Sequence, residues 1–282
     1  MRIPAPDFDL ALTLDSGQTF HWEPSGAGFL GAIGERAVYV EQRGNALEIV
    51  GAPPGVVARY FALDHPLAEI CASFPRDPAM QGAAEFCRGL RIIRQPRWEC
   101  LASFITSSMK QVAHIRQISH TLRRRFGKPK SLGEETLYVY PTPERIAALS
   151  ERDLRECALG YRAKNLLATA QLISRGEVDL DRIARLPDDE LRARLCALPG
   201  VGNKVANCVM LFAYERLRAF PIDVWVERVL LEKYFPRRRK MTAGKLRDFA
   251  ANHFGAHGGY AQQYLFHHAR KTAPRRLSPG TR

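Results

Sequence analysis

Lys204 and Asp223, nineteen positions apart, are the residues of this chain best suited to covalent chemistry. A lysine amine can attack an electrophilic carbon and hold it as a Schiff base. A carboxylate beside it can stabilise the positive charge that develops as a bond to that carbon breaks. Lysine is scarce here, nine against 33 arginines, with none before Lys110, so a lysine inside a patterned stretch is not a compositional accident. Each residue also has an ordinary reading: Lys204 as a solvated helix residue, Asp223 as a helix N-cap.

The elements that must position them are legible around each. In Leu195-Cys-Ala-Leu-Pro-Gly-Val-Gly-Asn-Lys-Val-Ala-Asn-Cys208 one amphipathic helix ends near Ala197 and another starts at Asn203. Pro199-Gly200 and Gly202 are expected to make a tight turn with positive φ. A glycine turn at a helix start aims free backbone N–H groups outward, where those of Gly200, Gly202 and Lys204 could grip a phosphate. Turn chemistry alone would equally suit a plain helix corner. In Phe220-Pro-Ile-Asp-Val-Trp-Val-Glu-Arg228 the proline pins an extended approach, and Asp223 begins the next helix.

The chain divides into a β-rich start and a helical remainder. Apolar runs at 8–14, 37–41 and 46–50, separated by Ser-Gly, Gly-Ala-Gly and Arg-Gly-Asn turns, predict short strands. Pro53-Pro54-Gly55 closes that block, and a helix is expected to begin over 56–63. From about Met80 the period becomes helical: Leu101, Phe104, Ile105, Val112, Ile115 and Leu122 recur at three, four and seven between 98 and 126. Thr142 is the expected N-cap of a helix with Pro143 in its first turn. Further helices are expected at 161–174, 188–196, 203–217, 224–234, 245–252 and 259–270. The resulting division is 1–85 β-rich, 86–270 helical, and 271–282 a basic disordered tail.

Forty-two Lys and Arg face 29 Asp and Glu, giving +13, which suits a polyanion; nucleic acid is the commonest, anionic lipid an alternative. Six cysteines show no Cys-x-x-Cys pair and sit mostly in apolar runs, as reduced thiols rather than a disulfide frame or zinc site. No 18-residue apolar run and no signal-peptide pattern occur, so an intracellular protein is expected.

Leu-Pro-Gly-Val-Gly-Asn-Lys-Val-Ala followed by Pro-Ile-Asp-Val-Trp resembles the signature of the helix-hairpin-helix DNA glycosylases. Lysine at 204 favours a bifunctional glycosylase/lyase, and the absence of cysteines after Cys208 argues against the endonuclease III branch with its iron–sulfur cluster. Leu14-Asp-Ser-Gly-Gln-Thr-Phe-His-Trp22, Arg91-Ile-Ile-Arg-Gln-Pro with Glu99 to Ser108, and Leu159-Gly-Tyr-Arg-Ala163 resemble 8-oxoguanine DNA glycosylase. The resemblance spans about 7–270. It implies an α+β fold: a small antiparallel β domain, like that of TATA-binding protein, followed by a helical glycosylase domain.

It also implies roles. Lys204 would attack the anomeric carbon and Asp223 would stabilise the cationic sugar. Cys208 and Phe266 would flank the extruded base, Gln262 would hold its Watson–Crick edge, and the Gly17 carbonyl would accept the N7–H that distinguishes 8-oxoguanine from guanine. Cys208 and Phe266 also suit ordinary core, and Gly17 an ordinary turn. Tyr161 and Arg162 match residues that wedge beside the lesion and touch the estranged base. The backbone carbonyls of Cys196, Leu198 and Val201 could bind a monovalent cation, with no other cofactor required. The partner would be double-stranded DNA containing 8-oxoguanine, met by a monomer in a bacterial cytoplasm or a eukaryotic nucleus.

One stretch departs from the human-like members. Where they carry asparagines and an arginine that read the orphaned cytosine, this chain has Met109, Lys110, Gln111 and His114. Met109 has the shape to intercalate, though helix packing would also suit it. Relaxed opposite-base selectivity is expected. Trp225 likewise replaces a histidine. Two other readings remain open: a glycosylase for an oxidised pyrimidine or alkylpurine, and a non-catalytic helix-hairpin-helix DNA-binding module.

Overall fold

The computed structural model describes residues 1–272 apart from 109, 239 and 240. Met109 and positions 273–282 of the expected tail therefore lie outside the described residues.

Five strands make one antiparallel sheet: β1 (Arg2–Pro4), β2 (Glu23–Ser25), β3 (Gly28–Ile33), β4 (Arg36–Arg43) and β5 (Ala46–Val50), in the order β1-β5-β4-β3-β2. The run at 8–14 is not a strand. Its residues form α1 (Leu10–Asp15), because Asp9 caps the first turn by accepting the Leu12 N–H at 2.8 Å. That cap outweighs the apolar alternation of a short segment. α2 (Pro54–Tyr60) starts with a proline in its first turn, and with α1 covers the sheet. Their shared core is Phe8, Leu10, Trp22, Val38, Val40, Leu47, Ile49, Tyr60 and Phe61. The ring of Trp22 lies directly on Gly31, where a Cβ would collide with it, and its N–H donates to the Tyr60 hydroxyl at 3.1 Å.

The helices begin earlier than Met80. α3 (Leu67–Ala72) and α4 (Pro78–Phe86) precede α5 (Arg97–Ser107) and α6 (Val112–Phe126). Leu67, Ile70, Phe74, Met80 and Ala83 belong to the helical core, not to the sheet's. A hairpin, β6 (Pro129–Leu132) with β7 (Glu135–Tyr138), follows α6 and was not legible: four-residue strands without buried alternation give no period to read. Thr142 caps α7 (Pro143–Ala147) as expected, accepting the Arg145 N–H at 3.3 Å.

α8 (Glu151–Leu154) runs through a distorted turn, with Ala158 at φ +61°, into α9 (Arg162–Ser174). α10 (Asp188–Cys196) and α11 (Asn203–Ala213) form the hairpin. α12 (Val224–Val229) widens into a looser turn over Leu230–Tyr234. α13 (Ala243–Phe254) and α14 (Gly258–Thr272) complete the chain. α14 runs two residues into the stretch expected to be tail. Leu191, Leu195, Val205 and Val209 are buried between and beneath the hairpin helices. Each such side chain contributes about 1.5–3 kcal/mol on burial, which makes the hairpin a rigid platform. α14 can approach α11 closely because Gly259 carries no Cβ: one there would strike Leu211.

The sheet domain is fastened to the helices by buried amides. The Gln18 side chain donates to Arg91 O at 2.8 Å and accepts the Ile93 N–H at 2.8 Å. Gln95 donates to Gln18 O at 2.7 Å, and Gln263 of α14 donates to Ser16 O at 2.7 Å. Breaking one and leaving its partner buried would cost about 1–3 kcal/mol.

Candidate active site

Lys204 and Cys208 lie one turn apart on α11, and Asp223 sits at the start of α12. The half-buried Lys204 rests its ammonium 5.3 Å from the centre of the Phe104 ring, which is itself stacked on Phe212 at 5.4 Å. Phe104 from α5 thus fixes where the amine starts. Burial pushes the Cys208 thiol up to about 11; Lys204 draws it down and Asp223 raises it. It is therefore a neutral thiol at pH 7.

Asp223 is an N-cap as well as a neighbour of Lys204, its carboxylate accepting the Val226 N–H at 2.8 Å. Burial raises its carboxyl above the usual aspartate value; the Val226 N–H, Lys204 and the Trp225 N–H pull the other way. Trp225 is half-buried with the Arg228 guanidinium 5.3 Å from its ring.

A second group assembles between the N-terminal loop and α14. Gly17 takes φ +85°, and a Cβ on it would lie 3.1 Å from the Phe266 ring. Gln262, one turn before Phe266, is buried, and its carbonyl oxygen has no hydrogen-bond partner among the described residues. α14, which carries Gln262 and Phe266, packs against both α11, with Lys204 and Cys208, and α12, capped by Asp223.

The hairpin turn differs in one detail from its expectation. Gly200 has positive φ, +79°, but Gly202 is extended at φ −95°, ψ 179°. A Cβ on Gly200 would press on the Asn165 side chain, whereas one on Gly202 would meet nothing within 4 Å. The need for glycine at 202 is therefore not internal. Gly202 is the N-cap of α11 without a side-chain cap, so the first N–H groups of that helix are left for an outside acceptor. Among the expected carbonyls, that of Leu198 accepts the Val201 N–H at 3.1 Å within the turn, and a carbonyl's second lone pair remains. No group of three His, Cys, Asp or Glu able to hold a metal ion occurs among the described residues.

Lys110, Gln111 and His114 are exposed around the start of α6. Tyr161 is exposed, but Arg162 is not: its guanidinium is buried, donating to the Ser108 carbonyl (2.7 Å from Nε) and lying 4.4 Å from the Tyr161 ring. In this state Arg162 braces the end of α5, and Tyr161 is the member of the pair that faces solvent. Sequence reasoning did not single out Phe104, nor the amides of Gln18, Gln95 and Gln263. The first has the same period as any core residue. The glutamines lie in no repeating pattern, and only the meeting of distant segments gives them a task.

A hairpin presenting a lysine at the start of its second helix, with an aspartate N-cap behind it, is the arrangement of the helix-hairpin-helix base-excision class. Residues 102–251 match the model for the HhH-GPD superfamily of base excision DNA repair proteins, and the chain belongs to that superfamily. Residues 1–101 match the N-terminal domain of 8-oxoguanine DNA glycosylase, which places the chain in that family. The structure is similar to 8-oxoguanine glycosylase/lyase of Clostridium acetobutylicum bound to duplex DNA with cytosine opposite 8-oxoguanine. The two share 32% identity with TM-score 0.90, covering 96% of this chain and 98% of that one. A probable N-glycosylase/DNA lyase of Methanothermobacter thermautotrophicus is 29% identical over 96% of both chains. The N-glycosylase/DNA lyase OGG1 of Arabidopsis thaliana is 28% identical over 94% of this chain and 78% of its own.

Proposed function

We propose that this protein excises 8-oxoguanine from duplex DNA and then cuts the strand at the abasic site it has made. The observation that carries this reading is the buried oxygen of Gln262, without a partner among the described residues, one turn from a Phe266 ring that a Cβ on Gly17 would crowd at 3.1 Å. A buried acceptor without a donor costs free energy unless something arrives to satisfy it. An extruded purine stacked on Phe266 would bring N–H donors to Gln262. The Gly17 carbonyl would accept the N7–H of 8-oxoguanine; guanine has an acceptor at N7 and would be repelled.

In the reaction, Lys204 gives up a proton that leaves with the base, and its amine bonds to C1′ as the glycosidic bond breaks. Opening of the sugar ring gives a protonated Schiff base; water takes the C2′ proton, and the C3′–O bond breaks as the 3′ phosphate leaves in β-elimination. Asp223 stabilises the positive charge on the sugar as it develops. Cys208, as an uncharged thiol, offers the base a polarisable face. The N–H groups at Gly200, Gly202 and Lys204 hold a phosphate. A monovalent cation on the Cys196, Leu198 and Val201 carbonyls would add positive charge there. Tyr161, with Arg162 behind it, meets the duplex beside the lesion, and Lys110, Gln111 and His114 meet the opposite strand, with less demand for cytosine than an arginine makes. The protein acts as a monomer inside the cell, where the genome is. No helix among the described residues is long and apolar enough to cross a membrane.

A single-turnover nicking assay on duplexes carrying 8-oxoguanine, an oxidised pyrimidine or an alkylpurine tests the reading. Nicking confined to 8-oxoguanine is expected. A stronger response to another lesion would move the assignment within the superfamily, and none at all would leave a DNA-binding module.

A further inference from the structure

The segment that carries Gly17 is held by an unusual arrangement of side chains. Its carbonyls are taken in order by donors from distant elements. Arg116 of α6 donates to Leu14 O at 3.4 Å, Arg270 of α14 donates to Asp15 O, Gln263 to Ser16 O at 2.7 Å, and Gln95 to Gln18 O at 2.7 Å. Gly17 alone in this run has no donor to its carbonyl among the described residues.

Asp15 gathers two of these donors and one cation more. Its carboxylate meets Arg116 at 3.2 Å, Arg270 at 3.7 Å and Lys271 at 2.5 Å. An aspartate in the last turn of α1 is opposed by the helix dipole, so the local sequence does not favour it there. Tertiary cations supply the reason for its presence. Burial would raise this carboxyl, but the Lys271 hydrogen bond and the charges of Arg270, Lys271 and Arg116 hold it below its ordinary value. The Arg270 guanidinium also lies 5.7 Å from the centre of the Phe266 ring. Asp15 is therefore tied at once to the turn bearing Gly17, to the helix bearing Phe266 and Gln262, and to α6 behind Val112, whose methyl would sit 3.6 Å from a Cβ at Gly17.

We infer that Asp15 is a specificity-determining positioning residue: it clamps Arg116, Arg270 and Lys271 so that the Gly17 carbonyl is held at a fixed place beside Phe266. It touches no base itself. This rests on the reading of Gly17 as the reader of N7–H. A carbonyl that moves by a few tenths of an ångström loses a hydrogen bond to 8-oxoguanine and relaxes its repulsion of guanine, so the effect falls on discrimination more than on affinity.

The test uses the uncleaving K204Q protein, with and without D15N, titrated against duplexes containing 8-oxoguanine or guanine. The ratio of the two Kd values is the readout. In K204Q the ratio should be large, and D15N should compress it about tenfold, by weakening the 8-oxoguanine complex and tightening the guanine one. A ratio near one in K204Q itself would sink the reading of Gly17. A large ratio that D15N leaves unchanged, or equal weakening of both complexes, would sink the inference about Asp15 while sparing that reading. Should D15N fail to fold, R116Q withdraws one cation of three and should compress the ratio about threefold; no compression overturns the inference.

Discussion

Gly17 and Phe266, 249 positions apart in sequence, leave no room between them for a side chain: a methyl group placed on the first would lie 3.1 Å from the ring of the second. One residue closes a turn of the sheet domain and the other lies in the last helix, so the wall of the proposed base pocket is complete only when the two domains are docked. The Gln18, Gln95 and Gln263 amides are what dock them.

G17A should therefore damage the pocket in two ways, through φ +85° and through the ring. The left-handed conformation costs a non-glycine residue about 1–2 kcal/mol, and the methyl pushes Phe266 aside. Single-turnover excision of 8-oxoguanine is expected to fall about 10- to 100-fold, while β-elimination at a preformed abasic site stays within about twofold. Equal loss of both steps would place Gly17 outside base recognition.

K204Q is expected to abolish borohydride trapping to DNA and strand cutting while leaving duplex binding in place. Trapping that survives would remove Lys204 as the nucleophile. Because α11 is seated by the burial of Val205, Val209 and Leu211 and Lys204 is only half-buried, the substitution should leave the melting temperature within about 2 °C.

Asp223 links activity to pH. Burial raises its carboxyl, so the acid limb of the excision rate should lie above the pH expected of an ordinary aspartate. The stability sign is opposite to that of a salt-bridged carboxylate. A raised folded value favours the protonated form, so its contribution is present below the unfolded value and lost as pH rises through the folded one. D223N, which keeps the cap to Val226, should slow excision about 10²- to 10³-fold and raise the melting temperature at pH 7 by about 1–2 °C. A lowered melting temperature at pH 7, with the gain appearing only in acid, would contradict the sign.

Gly202 separates a fold requirement from a ligand requirement. Its extended backbone accepts any residue and its Cβ position is open. G202A should fold with little change and bind duplex DNA about tenfold more weakly, since the added methyl stands where a phosphate must approach the α11 N–H groups. Unchanged binding would show that the phosphate sits elsewhere.

The exposed Lys110, Gln111 and His114 predict comparable cutting of 8-oxoguanine opposite C, T, G and A. A preference of several hundredfold for cytosine would show that another residue does the reading.

What the sequence determined by itself was local. The glycine turn and its flanking helices, the Thr142 cap, the aspartate at a helix start and most helix spans are set by contacts within a few residues, which spacing and residue type record. Short segments were less legible, because 8–14 could alternate as a strand or cap as a helix and only the Asp9 side chain decided. The Lys204, Asp223 and Gln262 positions could be picked out by their motifs and by the resemblance they carry. Their surroundings could not: that Phe104 seats the lysine, that Arg162 turns inward to Ser108, and that Asp15 binds three cations to hold the Gly17 turn. Those are meetings of segments tens to hundreds of residues apart. Burial and charge pairing choose them only once the chain has packed, and no periodicity in one dimension encodes them.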